Sequence, residues 1–323
     1  MIGAPALVGD GVTDDTLALQ AMLTAAPPGG TVAVPAGTYR FNSAVGLFLH
    51  SDMTLDLTGV ILTAGPAGAM RKRGLEVGQG TENVQIVGGT IIGSRADSGD
   101  WGIGLGIRGA RNVTVEGTQL HAWWYDGVYI GGSPASTGIT LRNVQCRKNR
   151  RTGLAIVNAA GVTVDGCVFI GTAGQDPQCG ANVEPSAGER VVDVVFRACV
   201  FADNASVGLC ARKGRGAIGD NYKVVSCLIE HNNGYGLVIN EAVDVHVMDT
   251  CVTNNPVGVS IGGGASRLIF VGNTVKSCPR PVILAGVVDP KVIGNDMIAP
   301  EIIPVPGWPG VSGSVLILDN VAR

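Results

Sequence analysis

The sequence predicts an all-β fold, a β-solenoid of about ten or more parallel coils closed at its N-terminal end by one short helix. Two residue series predict it, together with the lack of helical patterning beyond the head of the chain. A V-x-V-x-x-(C/N/T) phrase recurs, as in Val113-Thr114-Val115, Val162-Thr163-Val164 and Val245-His246-Val247. The residue three places past its last apolar position gives Gly89, Thr118, Val144, Cys167, Cys199, Cys227, Thr250, Asn273, Asn295 and Asn320, at intervals of 22 to 32 residues. Glycines that open strands give Gly104, Gly127, Gly153, Gly180, Gly208, Gly236 and Gly258, at intervals of 22 to 28. The two series keep step over more than half the chain. A period in the twenties built of short β-rich pieces is that of a solenoid, whose coils pair with the coils above and below about 4.8 Å away.

The elements follow in order. Asp14-Asp15-Thr16-Leu17-Ala18-Leu19-Gln20-Ala21-Met22-Leu23 offers a capping carboxylate, a helical apolar stripe and then the stop Pro27-Pro28-Gly29-Gly30. One helix followed by Thr31-Val32-Ala33-Val34 suits the end of a solenoid, where an open apolar coil needs a cover. Within the coils, Val128, Leu154, Leu209 and Leu237 fall inward, while Tyr129, Ala155, Asn182, Cys210, Val238 and Ser260 fall into an outward column. The eight cysteines contain no C-x-x-C pair, and three of them share one register position. Buried free thiols are expected rather than a disulfide framework. Prolines at Pro300–Pro309 point to an irregular C-terminal closure. No linker divides the chain. It is expected to be one domain over residues 1–323, with a cap at 1–40, coils at 41–299 and a second cap at 300–323.

Composition narrows the function. Gly is 49 of 323 residues, hydrophobic residues make up 46% and charged ones 15%, so there is ample apolar surface for a core. Lys+Arg 23 against Asp+Glu 26 leaves a net charge of −3, without the basic excess of a nucleic-acid binder. The sequence contains no apolar run long enough for a membrane-spanning helix, and Met1-Ile2-Gly3-Ala4-Pro5 lacks the basic and apolar regions by which a signal peptide is expected to show.

Gly9-Asp10-Gly11-Val12-Thr13-Asp14-Asp15-Thr16, then Gly30-Thr31-Val32 and Pro35-Ala36-Gly37-Thr38-Tyr39, resembles the N-terminal signature of the pectate-lyase-like superfamily. That superfamily comprises single-stranded right-handed parallel β-helices and includes phage tailspikes, polysaccharide lyases, mannuronan epimerases and glycoside hydrolases. The resemblance implies a carbohydrate-active protein with a polysaccharide partner, found outside the cell or on a virion, and allows for a homotrimer. The polygalacturonase motifs are not reproduced in order. Ala211-Arg212-Lys213 and Gln175-Asp176-Pro177 only echo them.

Function on a solenoid sits where loops interrupt the repeat. The widest interval, from Cys167 to Cys199, holds Gln175-Asp176-Pro177 and Asn182-Val183-Glu184-Pro185. Counted from the strand-opening glycines, Asp126 stands at −1, Arg151 at −2 and Asp176 at −4. Asp126 and Arg151 are therefore neighbours one coil apart. Glu184 and Arg212, both at +4, stack as an ion pair. Asp126 and Asp176, about 9.6 Å apart, match the wider carboxylate spacing of inverting glycosidases. Glu184 is the competing second carboxylate. Both aspartates are expected on exposed turns. Trp123, Trp124, Tyr125 and Tyr129 offer flat faces to sugar rings. Arg150, Arg151, Asn182 and Arg212 complete the candidate binding residues. No cofactor is expected. Calcium at Asp97 and Asp100 has too few ligands in view to make a site. The favoured function is a glycoside-hydrolase-type depolymerase. A lyase or uronan C5-epimerase, with the arginines at the uronate carboxylate, is the alternative, and a non-catalytic carbohydrate-binding spike is the third.

Overall fold

A computed structural model describes residues 6–65, 71–95, 101–297, 301–302, 311–312 and 316–321. Among them lie one helix and three long parallel sheets. The first sheet has 11 strands, from Asp10–Asp14 to Thr274–Lys276. The second has 12, from Gly30–Ala33 to Leu316–Leu318. The third has 11, from Leu47–Leu49 to Glu301–Ile302. The central coils each contribute one strand to each sheet in the order second, first, third, as in Arg111–Glu116, Gln119–His121 and Asp126–Gly131. The predicted solenoid is the observed fold. Asp97, Asp100 and the prolines of the expected C-terminal closure lie outside the described residues, while Glu301–Ile302 among them is a strand of the third sheet.

Parallel strands buried on their inner face alternate strictly, and the register shows it. Leu75, Leu105, Val128, Leu154, Ala181, Leu209, Leu237, Val259 and Val282 pair one above the next along the third sheet, all within the core. Burying each Leu or Val of this series contributes roughly 1.5–3 kcal/mol. The predicted glycines form a true column. A Cβ on Gly104, Gly127, Gly153, Gly180, Gly208 or Gly236 would lie 2.5–2.7 Å from the carbonyl oxygen of the glycine one coil on. Their φ angles are not left-handed, so it is space that selects glycine.

The Asn/Cys/Thr series is a hydrogen-bonded ladder at the corner between the second and first sheets. Asn273 Oδ1 accepts from the Thr250 N–H at 3.0 Å, Asn295 Oδ1 from the Asn273 N–H at 2.8 Å, and Asn320 Oδ1 from the Asn295 N–H at 3.1 Å. These side chains satisfy corner amides that water cannot reach. Cys167 takes the same role, its sulfur accepting from the Val144 N–H at 3.4 Å. The eight cysteines are free thiols, seven of them buried. A second ladder, absent from the sequence reading, turns the chain from the first sheet to the third. Asn204 Oδ1 accepts from the Thr172 N–H, Asn232 Oδ1 from the Asn204 N–H and Asn255 Oδ1 from the Asn232 N–H, at 3.0, 3.2 and 2.9 Å.

The helix, α1 (Thr16–Ala25), ends where Ala26 turns extended before the prolines. Its Leu19 and Leu23 join the core. Asp14, rather than Asp15, bonds the Thr16 N–H at the helix start, at 3.0 Å. Asp15 instead accepts from the Val8 and Gly9 amides at 2.7 and 3.1 Å. The Gln20 side chain donates to the Phe48 carbonyl (3.1 Å) and accepts from the Phe48 N–H (2.8 Å), covering the first strand of the third sheet. Gly9, at φ +69°, leaves room for the Tyr39 ring, from which a Cβ would lie 2.9 Å away. The two halves of the N-terminal signature thus pack on one another.

Candidate active site

Loop length decides where the solenoid opens. Two coils spend four residues between the first and third sheets, Lys148–Arg151 and Asp203–Ser206, but the coil between them spends eight, Gly171–Gln178. The same coil spends six, Glu184–Glu189, between the third and second sheets, where the preceding coil spends two, Val157–Asn158. These loops wall the outer face of the third sheet. They also correct the expected outward column. Its register is as predicted, from Tyr129 through Ala155, Asn182, Cys210 and Val238 to Ser260. Ala155, Asn182, Cys210 and Val238 are nonetheless buried, because Cys179, Val207 and Tyr235 pack with Cys210 and Val238 in a small apolar cluster outside the core.

Two clefts adjoin on this face. One, of about 310 Å³, is lined by Tyr125, Tyr129, Arg151, Glu184 and Glu189, among others. The other, of about 470 Å³, is lined by Asp176, Asn182, Glu184, Arg212 and Lys213, among others. Glu184 and Ser186 belong to both, so the two form one groove with Glu184 at its middle.

Arg151 organises the first cleft. One terminal nitrogen lies 3.4 Å from Asp126 Oδ1 and the other 2.5 Å from Glu184 Oε1. Its guanidinium covers the Tyr125 ring, with the carbon 4.7 Å from the centroid. Asp126 also accepts from the Thr152 hydroxyl at 2.6 Å. The expected Asp126–Arg151 neighbourhood is present, but the exposed turn is not. Asp126 begins a strand and has no solvent exposure. Burial pushes its carboxyl up to about 6, against the pull of Arg151 and the Thr152 hydrogen bond. Burial works against the Arg151 charge, yet Asp126 and Glu184 outweigh it and hold the guanidinium more firmly protonated. Burial also raises the Tyr125 and Tyr129 phenols. Glu184 takes Arg151 rather than Arg212 as its ion partner, because the chain leaves the sheet at Val183 and the side chain turns back over the preceding coil.

The remaining candidates divide. Asp176 is exposed on the long loop, accepting from Gln178 Nε2 at 3.0 Å, and stands one cleft away from Asp126. Asn182 is buried at the floor beside it and Arg212 lines the wall. Trp124 and Arg150 stack on each other at 3.8 Å, Arg150 Nε donating to the Gly174 carbonyl. Trp123 offers no face to a ligand. It is a core residue whose indole N–H donates to the Ile91 carbonyl at 3.2 Å. The sequence reading missed Glu76, Arg108 and Glu189, which come from coils or loops far apart in the chain. Among the described residues, no group of three or more His, Cys, Asp or Glu could hold a metal ion, and no helix is long and apolar enough to cross a membrane.

Comparison with known proteins adds to this geometry. A family model described as "Right handed beta helix region" matches residues 38–189, 73–221 and 186–296. The chain is 27% identical over 266 residues to the uncharacterized protein YclG of Bacillus subtilis, covering 71% of this chain and 43% of that protein. It is 30% identical over 152 residues to the mannuronan C5-epimerase AlgE6 of Azotobacter vinelandii, covering 44% and 15%. The chain therefore spans less than half the length of these curated relatives. The AlgE6 A-module has the same fold, with a TM-score of 0.76 at 21% identity over 98% of this chain and 94% of that one. The tailspike gp49 of Acinetobacter baumannii bacteriophage Fri1, a capsular polysaccharide depolymerase, superposes with a TM-score of 0.55 at 15% identity, covering 97% and 54%.

Proposed function

The chain belongs to the right-handed β-helix family, and we propose that it cleaves an acidic polysaccharide in the groove on its third sheet. The observation that carries this reading is the position of Glu184, shared by two adjoining clefts, with Asp176 on the wall of one and the Arg151–Tyr125 stack in the other. A polymer laid along such a groove meets one carboxylate at its centre and a second to one side. Hydrolysis needs that pair, one carboxyl protonating the leaving glycosidic oxygen while the other activates water or attacks the sugar. Asp126, without solvent exposure, anchors Arg151 and through it holds Glu184. Arg212 and Lys213 supply positive charge for an acidic chain. The relative named as a mannuronan epimerase and the structural neighbour named as a polysaccharide depolymerase support a polysaccharide substrate. The tailspike likeness supports a place outside the cell or on a virion.

A lyase or C5-epimerase is the second reading, favoured by the AlgE6 relationship. It needs a base at the uronate carbon, and burial disfavours Tyr125 and Tyr129 in that role by keeping their phenols protonated. Product chemistry decides between the two. Incubation of the protein with acidic capsular and algal polymers in ¹⁸O-water is expected to give shorter saturated chains carrying one labelled oxygen per cut. Ultraviolet-absorbing unsaturated ends would establish elimination instead. An altered sugar composition without shortening would establish epimerisation. Binding without any product would leave a spike. Glu184→Gln and Asp176→Asn should each lower turnover at least about a hundredfold.

A further inference from the structure

The outer face of the third sheet carries a second cluster built on the plan of the first. Glu76, in the strand Arg71–Val77, is buried at 5% exposure, and its Oε2 lies 3.2 Å from Arg108 Nε. Arg108 ends the strand Trp101–Arg108 and lays its guanidinium on the Tyr129 ring, 4.3 Å from the centroid. In the first cluster buried Asp126 anchors Arg151, which covers Tyr125. Each cluster thus has a buried carboxylate that fixes an arginine and a tyrosine ring that supports its flat face. In the first, the guanidinium is further engaged by Glu184. In the second, among the described residues, Arg108 makes one hydrogen bond, through Nε. Its side chain is 35% exposed, and its two terminal nitrogens are left for an outside acceptor.

The sheet makes room for this arrangement. Glu76, Gly106 and Tyr129 lie in register on three successive strands. A Cβ at Gly106 would lie 2.4 Å from Glu76 Oε2, so the glycine leaves the space that the carboxylate occupies. Tyr129 also walls the Arg151 cleft, which makes the two clusters contiguous. Asp126, which anchors Arg151, and Tyr129 are three residues apart on one strand, about 10 Å along it. That is more than one sugar ring spans. An arginine held in place on both sides loses little freedom when it binds, and its planar fork suits a carboxylate.

We propose that Arg108, anchored by Glu76 and backed by Tyr129, is a second anion subsite of the groove, taking the carboxylate of a uronate unit other than the one that meets Glu184. The proposal rests on the polysaccharide reading above but not on the hydrolytic chemistry, so its test measures binding. Calorimetry on the intact chain would use oligogalacturonates and oligomannuronates of two and eight units, with a neutral dextran octamer beside them. Wild type is expected to prefer an acidic octamer to both its dimer and the dextran. Glu76→Gln with Arg108→Gln removes both charges and leaves no buried carboxylate unpaired. This double variant should weaken acidic octamer binding at least about tenfold, with a smaller salt dependence and an unchanged melting temperature. Arg108→Lys should retain part of the affinity. The subsite is overturned if the double variant binds the octamer as wild type does, or if wild type binds no acidic oligomer more tightly than dextran. Tight binding without cleavage would leave the subsite standing and remove only the hydrolytic reading.

Discussion

The carboxylate of Asp126, closed off from solvent, lies 3.4 Å from a terminal nitrogen of Arg151, the residue just before the Thr152 that continues its strand position one coil on. A pairing this deep should show in the pH dependence of stability. The Asp126 carboxyl rises from 3.8 to about 6 in the fold, so the native state holds its proton more tightly than the unfolded chain does. Its contribution is therefore fully present at acid pH and is lost as pH rises from about 4 to about 6. The loss is on the order of 3 kcal/mol, at 1.36 kcal/mol per pKa unit. Urea unfolding of wild type and Asp126→Asn across this window should give curves that diverge, with the variant gaining on wild type as pH rises. Parallel curves would mean that Asp126 titrates as an ordinary carboxyl.

Removing the cation should be far more damaging than removing the acid. Arg151→Ala leaves Asp126 buried and unpaired beside Glu184, which typically costs about 3–5 kcal/mol. Asp126→Asn with Arg151→Gln should recover much of that, because no buried charge remains. A double-mutant cycle at pH 7 reads the coupling directly. Additive effects would show that the two side chains do not act as a unit.

The glycine column makes a steric prediction. Gly153→Ala would place a Cβ 2.5 Å from the Gly180 carbonyl oxygen and 3.0 Å from the Phe169 ring. Overpacking of this kind costs roughly 1–3 kcal/mol. Gly78→Ala is the control, since a Cβ there meets nothing within 4 Å and φ is not left-handed. It should be neutral to within about 0.5 kcal/mol. Equal melting temperatures for the two variants would contradict the steric account.

The second ladder can be probed at Asn232. Its Oδ1 accepts from the Asn204 N–H and from Asn204 Nδ2, at 3.2 and 2.9 Å, and its Nδ2 donates to the Phe201 carbonyl at 3.1 Å. Asn232→Ala leaves these buried groups without partners, at about 1–3 kcal/mol. Arg111→Ala, which removes an exposed pairing with Glu82 at 3.1 Å, should cost under about 1 kcal/mol. Chemical denaturation that found the two losses alike would remove the ladder as a stabilising element.

The coil register was legible because two physical demands repeat at every turn. One is a corner amide that needs an acceptor at the Thr250–Asn320 positions. The other is a strand start too crowded for a side chain at Gly104–Gly258. Each restricts one position per coil, the first to Asn, Cys or Thr in most coils and the second to Gly, and their spacing can be counted. The ladder through Asn204, Asn232 and Asn255 escaped notice because the long loop Gly171–Gln178 moves its Thr172 member out of phase with the glycines. The burial of Asp126 was hidden because a carboxylate beside a glycine has the pattern of a surface turn, whereas here Thr152 and Arg151 enclose it. Glu76 and Arg108 are 32 residues apart and carry no shared motif. Extending the glycine series back to Gly74 would have placed Glu76, Gly106 and Tyr129 in one outward column.

Gln20 has a consequence for how the molecule behaves in a crowd. Its side-chain amide meets both backbone groups of Phe48 just as a neighbouring strand would. The opening strand of the third sheet, Leu47–Leu49, therefore has a rung of its exposed ladder already filled before any other chain arrives. An open parallel edge is a template on which rods could add end to end into filaments, and a hydrogen-bonded side chain on a covering helix blocks that growth without adding a strand. One rung of that edge is thus closed to a second rod by the same helix that covers the apolar surface.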